Sequence, residues 1–201
     1  MQENPTTVLI DRAIAGDASA LEALLAEITD PVFGLALRML GHVADAQDAT
    51  QEILLRVMTR LASFEGRSAF STWVYRLSVR YLINERRSRF AHPALSLDFY
   101  GADIARELPD LPDMTEGVDQ RLLAEELKYA CTNVMLQCLD PESRCIFVLG
   151  AMFRLPSQVA SEVLGLEPAT YRQRLHRVRL KMSDFLGAYC GLTQTGACQC
   201  A

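Results

Sequence analysis

Apolar residues recur along this chain at intervals of three and four, and no stretch alternates as a half-buried strand would. The pattern predicts an all-α fold. A first helix is expected over Thr6 to Ala15. A second follows Asp17, a residue suited to N-capping, with Leu21, Leu24, Leu25 and Ile28 as its apolar stripe. The segment DPVFGLALRMLG predicts a third helix, begun at Pro31, a favoured first-turn residue, and stopped at Gly41. A fourth is expected from about Asp45 to Leu61, with Ile53, Leu54, Val57, Met58 and Leu61 on its apolar side. After a break containing Gly66, Ser71 or Thr72 is a candidate cap for a fifth helix carrying Trp73, Leu77, Tyr81 and Leu82.

The pattern then lapses. HPALSLDFYGADIARELPDLPDMTEG holds three prolines, two glycines and many acids, and reads as a linker with little fixed structure. Helical periodicity resumes near Val118 and continues to Tyr189. Within that half, LPSQVASEVLGLEPATYRQRLHRVRLKM reads as a short helix, a turn at Gly165 and a basic helix. This is the pattern of a helix-turn-helix, whose second helix enters the major groove of DNA. The expected organisation is two small helical domains, 1–92 and 118–188, joined by an acidic linker, 93–117, and followed by a tail, 189–201.

Charge sharpens this division. The net charge is −5, but six arginines lie between Phe64 and His92 against two acids, and five basic residues lie between Thr170 and Lys181 with no acid. Between Pro93 and Leu127, nine acids face two arginines. Two basic islands separated by an acidic strip suit two DNA-facing surfaces, though solvated helix faces give the same counts. The opening MQENPTTVLIDRAIAGD has no basic segment leading into a long apolar run, and no later segment reaches the roughly 20 apolar residues of a spanning helix. The expected location is therefore the cytoplasm, where the six cysteines would be reduced.

Two stretches in the first half carry candidate chemistry. In DAQDATQEILLRVMTRL, Asp45, Asp48, Gln51 and Glu52 share one side of a helix, opposite much of the apolar stripe. Acids in a first turn complement the helix dipole, and they also suit a surface that meets arginines of another protein. In FEGRSAFSTWVYRLSVRYLINERR, aromatic residues alternate with arginines, a mixture that stacks unpaired bases and neutralises phosphates. The small, polar loop from Glu65 to Ser71 could admit a flipped base. The competing reading places Trp73, Leu77 and Tyr81 in the core.

These residues carry a family resemblance. DAQDATQEILLRVMTRLASFEGRSAFSTWVYRLSVRYLINERR resembles the second conserved region of extracytoplasmic-function (ECF) sigma factors, and LDPESRCIFVLGAMFRLPSQVASEVLGLEPATYRQRLHRVRLKM resembles their fourth. The resemblance implies a dissociable initiation subunit of bacterial RNA polymerase. Its first domain would bind the clamp helices of the largest polymerase subunit and melt the minus-ten element. Its second would bind the polymerase flap and read the minus-thirty-five element. Asp48, Ala49, Gln51 and Glu52, with Asp45 beside them, correspond to the polymerase-binding motif. Phe64 to Thr72, with Arg67, Ser68, Phe70 and Ser71, corresponds to the base-capturing loop, followed by Trp73, Arg76 and Arg80. Arg172, Gln173, His176 and Arg177 match groove-facing positions, and Thr170 a phosphate contact. The chain departs from the family's usual residues at Arg80 and Asn84, which leaves strand contacts there open. It departs again at Ala160 and Tyr171, where a larger residue beside a smaller one suggests matched repacking.

The thiols complete the picture. CTNVMLQCLD precedes the second domain's core segment and CGLTQTGACQC follows it. The pair resembles metal-responsive ECF sigma factors, in which a cysteine-rich tail senses metal in place of a membrane partner. Cys131 and Cys138 lie two turns apart on one expected helix. Cys198 and Cys200 can offer two thiolates to one soft ion, Cys190 a third, and Cys131 or Cys138 a fourth. Four sulfurs suit zinc or cadmium, and fewer suit cuprous copper. Cys145 within RCIFVL reads as a core thiol, a reading open to Cys138 as well. No catalytic motif is present, so no enzymatic activity, catalytic residue or organic cofactor is expected. The alternative function is a helix-turn-helix regulator with a redox-sensing tail that never engages polymerase core. It leaves the acidic helix face and the aromatic loop unexplained. Whether an anti-sigma partner exists is not readable from the residues.

Overall fold

A computed structural model describes residues 5–89, 95–106 and 119–191. Every regular element among them is helical: α1 (Pro5–Ile14), α2 (Ala18–Leu40), α3 (Val43–Arg60), α4 (Phe70–Arg89), α5 (Leu97–Ile104), α6 (Gln120–Gln137), α7 (Pro141–Phe147), α8 (Ser157–Leu164) and α9 (Pro168–Tyr189). A 3-10 turn, Leu61–Ser63, follows α3, and a π-helical turn, Val148–Met152, follows α7. No helix is long and apolar enough to cross a membrane among the described residues.

The second and third expected helices are one. Pro31 lies inside α2 rather than at a start. Its missing N–H frees the carbonyl of Glu27 on the exposed side of the helix, where water can satisfy it. The apolar stripe Leu24, Ile28, Val32, Leu35 and Met39 runs unbroken across the proline and is buried throughout, so packing outweighs the local break. Asp17 does cap α2, accepting hydrogen bonds from the Ser19 and Ala20 amides. With the Ser19 hydroxyl and Arg12 also on its oxygens, its carboxyl is held down at about 2. Gly41 ends α2 with a φ of 83°, and its amide donates to the Leu37 carbonyl. A Cβ there would lie 2.8 Å from Gln137 Nε2, so the turn requires glycine for its backbone and for its neighbour on α6.

The expected unstructured linker contains α5, a second correction. Ser96 caps it by accepting from the Phe99 amide. Leu97 is buried, and Tyr100 stacks on Phe185 of α9 at 5.5 Å between ring centroids. Gly101 brings α5 against Tyr189 at the end of α9. The short apolar set of α5 is stabilised by this docking rather than by helix propensity, which the proline and acid content obscured.

One continuous core runs through both halves of the molecule. It joins Leu24, Met39, Ile53 and Leu82 of the first domain to Leu136, Ile146, Leu149 and Tyr171 of the second. Across the boundary, Arg144 is 1 % exposed and donates to the carbonyls of Leu136, Gln137 and Leu139 and to Gln137 Oε1. It also reaches the Met39 carbonyl in α2. One guanidinium therefore satisfies the carbonyls at the ends of two helices, one from each domain. Asn133 adds a bond from its amide to the Gly41 carbonyl at 2.8 Å.

Candidate partner and nucleic-acid interfaces

α3 buries Ala46, Ala49, Thr50, Ile53 and Val57 against α2 and α4. Asp48 and Gln51 stand exposed on the opposite side, with Asp45 and Glu52 half-buried beside them. Glu52 accepts from Arg56 at 2.8 Å, and that guanidinium lies over the Tyr81 ring at 4.7 Å. Ala49 does not join this surface. It is 2 % exposed, because its place on the helix points it at the core. Met58, expected in the apolar stripe, is instead 40 % exposed, and Leu55 is 54 % exposed. At about 100° per residue, Met58 lies only about 20° round the helix from Gln51. Leu55 and Met58 therefore belong to the exposed face, which is polar at its start and apolar towards its end.

The loop before α4 keeps fewer of its expected contacts free. Phe64 lies edge-on to Phe70 and Trp73, at 5.7 and 5.5 Å, and Phe70 stacks on Trp73 at 5.9 Å. Phe70 and Thr72 are buried, so both leave the set of direct DNA contacts. Phe70 is the first residue of α4, and its ring anchors the helix start. Trp73 is half-buried in the same cluster. Arg67 and Ser71 are exposed and Ser68 is half-buried. Arg67 pairs with Glu65. Together with Ile10, Asp11 and Ile14 of α1, the loop lines a cavity of about 680 Å³.

Further along α4, Arg76 is half-buried and ion-paired with Glu162 of α8 at 2.6 Å, while Arg80 is exposed. Both line a cleft of about 840 Å³ between α4 and the second domain, with Asn84, Glu142 and Arg174 on its walls. Arg174 is 3.6 Å from Glu142.

α8, the turn at Gly165 and α9 form the expected helix-turn-helix. Pro168 occupies the first turn of α9, and Tyr171, Leu175, Val178, Met182 and Phe185 bury one side of it. Arg172, Gln173, His176 and Arg177 stand exposed on the other, with Thr170 half-buried in the first turn. Ala160 and Tyr171 are both fully buried. The tyrosine hydroxyl donates to the Ile146 carbonyl at 3.4 Å, and burial, with Cys145 nearby, pushes it up to about 12.

The cysteines separate into two kinds. Cys145 is fully buried and its thiol is pushed up to about 12 by burial. Cys138 is 7 % exposed, and burial raises its thiol despite the Arg144 and Lys181 charges. Cys138 is therefore a core residue rather than an accessible ligand, whereas Cys131 and Cys190 are half-exposed. Cys198 and Cys200 lie outside the described residues. Among the described residues, no three His, Cys, Asp or Glu side chains converge on a metal position.

An exposed acidic helix face, an aromatic loop and a helix-turn-helix with a basic outer face define a two-domain, all-α, DNA-reading protein. Residues 24–90 match sigma-70 region 2, and residues 130–182 match sigma-70 region 4. The RNA polymerase sigma-H factor of Pseudomonas aeruginosa is 27 % identical over 85 % of this chain and 88 % of its own. The ECF sigma factor SigW of Bacillus subtilis is 26 % identical over 82 % and 87 %. Among solved structures, CnrH in complex with the cytosolic domain of CnrY shares the fold, with a TM-score of 0.65 and 23 % identity over 91 % of this chain and 97 % of that one. RpoE from Bartonella quintana, in complex with the anti-sigma factor NepR, gives 0.55 and 16 % over 83 % and 96 %. The chain belongs to the ECF sigma factors, the proteins that direct transcription initiation.

Proposed function

We propose that this sigma factor engages core RNA polymerase through the exposed face of α3 and promoter DNA through the loop before α4 and the outer face of α9. The observation that supports this most directly is the exposure of Asp48 and Gln51 on one domain together with Arg172, Gln173, His176 and Arg177 on the other. The carboxylate and amide pair would meet basic side chains of the polymerase clamp, and Leu55 and Met58 would add apolar area next to them. Arg67, Ser68 and Ser71 would hold the backbone and edge of an unpaired base, with Phe64 and Trp73 supporting the loop from behind. Arg76 and Arg80 would follow the strand. On α9, arginines suit guanine edges or phosphates and Gln173 suits adenine, with Thr170 on a phosphate. The site of action would be the cytoplasm.

The tail gives this reading its regulation. Cys190, Cys198 and Cys200 would hold a soft metal ion, with Cys131 as the remaining thiol of suitable exposure. Zinc, cadmium and cuprous copper all favour such a donor set. Bound metal would tie the end of α9 to the tail and so bias the DNA-reading domain. In vitro transcription with core polymerase across a metal series tests both parts. Promoter-specific transcripts that respond to metal in the wild type, and not in Cys198→Ser with Cys200→Ser, are expected. Transcripts indifferent to metal in both would remove the regulatory part, and no transcripts under any condition would remove the whole.

A further inference from the structure

The loop before α4 does not enclose its cavity alone; α1 supplies a second wall. Thr7, Asp11 and Ile14 are spaced four and three residues apart, so they share one face of α1 and line the cavity with Glu65 to Ser71. Its volume of about 680 Å³ lies within the ~300–1,000 Å³ of small-ligand pockets. Ile10 and Phe70, both buried, add apolar lining.

The charges around this space are unevenly matched. Arg67 of the loop pairs with Glu65, and Arg12, next to Asp11 in the chain, pairs with Asp17 outside the cavity. Among the described residues, no hydrogen bond or ion pair engages the side chains of Asp11 on α1 or Glu27 on α2. With three carboxylates to one arginine, the cavity repels a phosphate, so a base edge suits it better than the strand's backbone. An ionised carboxylate only accepts hydrogen bonds. Cytosine, adenine and guanine each carry an exocyclic amine that can donate to it. Thymine instead sets its single ring N–H between two carbonyl oxygens, which face a carboxylate unfavourably.

We infer that Asp11 is a specificity-determining residue for the captured base. Its carboxylate accepts from an exocyclic amine and excludes thymine, with Glu27 as a second acceptor. The inference rests on the proposed base-holding role of the loop. It adds that α1, outside the segment the resemblance assigns to base capture, sets which bases that loop accepts.

The test presents a pool of randomised single-stranded DNA to holoenzyme assembled from the full-length chain and core polymerase, and sequences the bound fraction. In the wild type, one position should show thymine depleted at least about fivefold against an amine-bearing base, as expected of a good base contact. Removing only that amine, by uracil for cytosine or hypoxanthine for a purine, should lose a similar factor. Asp11→Asn, whose amide can donate to a carbonyl, should bring the depletion to about twofold at that position alone. Adding Glu27→Gln should remove the remainder. Asp30→Asn, the same charge change on an exposed part of α2 outside the cavity, should leave the pattern as in the wild type. Thymine depletion retained in the double variant, or a loss spread evenly over all positions, would overturn the inference. Failure of the wild type to bind core, or a bound pool without any sequence preference, would instead overturn the function on which the inference rests.

Discussion

The hydroxyl of Tyr171 occupies space that only a glycine at position 150 leaves open. A Cβ on Gly150 would lie 2.4 Å from that oxygen and 2.6 Å from a methyl of Leu175. α9 is thus seated on the π-helical turn through a tyrosine and a missing side chain. Spacing along the sequence gave no reason to pair Gly150 with Tyr171.

Gly150→Ala should destabilise the protein by about 1–3 kcal/mol through overpacking. Tyr171→Phe removes the oxygen and a long hydrogen bond, and should cost less than about 1.5 kcal/mol. The double variant should be more stable than the sum of the two losses implies, because removal of the hydroxyl gives the new methyl room. Urea denaturation of the four proteins measures this. Strict additivity would show that the two positions do not share that space.

Arg144 should be among the least replaceable residues of the second domain. Arg144→Met leaves several buried carbonyls without a donor and should cost about 3–5 kcal/mol. Arg144→Lys keeps the charge but cannot reproduce the fork, and should recover less than half of that loss. Thermal unfolding provides the measurement; a Tm for Arg144→Lys equal to wild type would contradict this role.

Much of the fold was legible because helical period, caps and turns agreed. Asp17, Gly41 and Gly165 all act where the sequence placed them. Pro31 misled because a proline on the solvent side of an amphipathic stripe costs less than the core contacts retain. The linker helix α5 was hidden because its stability comes from Tyr100 and Gly101 meeting α9, a tertiary effect. At the surface, residue type signalled chemistry, but only the helix angle separates Ala49, which is buried, from Met58, which is not. Phe70 and Thr72 illustrate the same limit: an aromatic-rich loop must seat some of its rings in the core to hold its shape.

The outer face of α9 should behave as a groove-reading surface. Arg177→Ala in holoenzyme should weaken binding to a cognate promoter about tenfold or more, within the ~1–3 kcal/mol of a good base contact. If Arg177 meets a base, the loss should concentrate on one position of the minus-thirty-five element. If it meets phosphate, the loss should be uniform and the salt slope should fall by about one. Binding titrations over a salt series separate the two, and no change in either would remove Arg177 from the interface.

Alkaline pH should weaken the fold. The thiol of Cys145 and the hydroxyl of Tyr171 both ionise near 12 when folded, against 9.0 and 10.0 without the protein environment. Groups raised on folding contribute stability that is complete below the unfolded value and is lost as pH climbs towards the folded one. Stability should therefore fall between about pH 9 and 12, and less steeply in Cys145→Ala. In thiol labelling at neutral pH, Cys131 and Cys190 should react before Cys138, and Cys145 only on unfolding. Rapid labelling of Cys145 in the native protein would contradict its burial.

The most direct measurement is binding of the full-length chain to core RNA polymerase, wild type against Asp48→Arg. Asp48 is exposed, so reversal of its charge should leave the fold intact, as circular dichroism and Tm can verify. Expected is tight binding by the wild type and at least a tenfold loss in Asp48→Arg, with promoter-specific run-off transcription lost in parallel. Equal affinity of the two proteins for core would contradict α3 as the polymerase-facing surface, and no binding by the wild type would contradict its action as a sigma subunit.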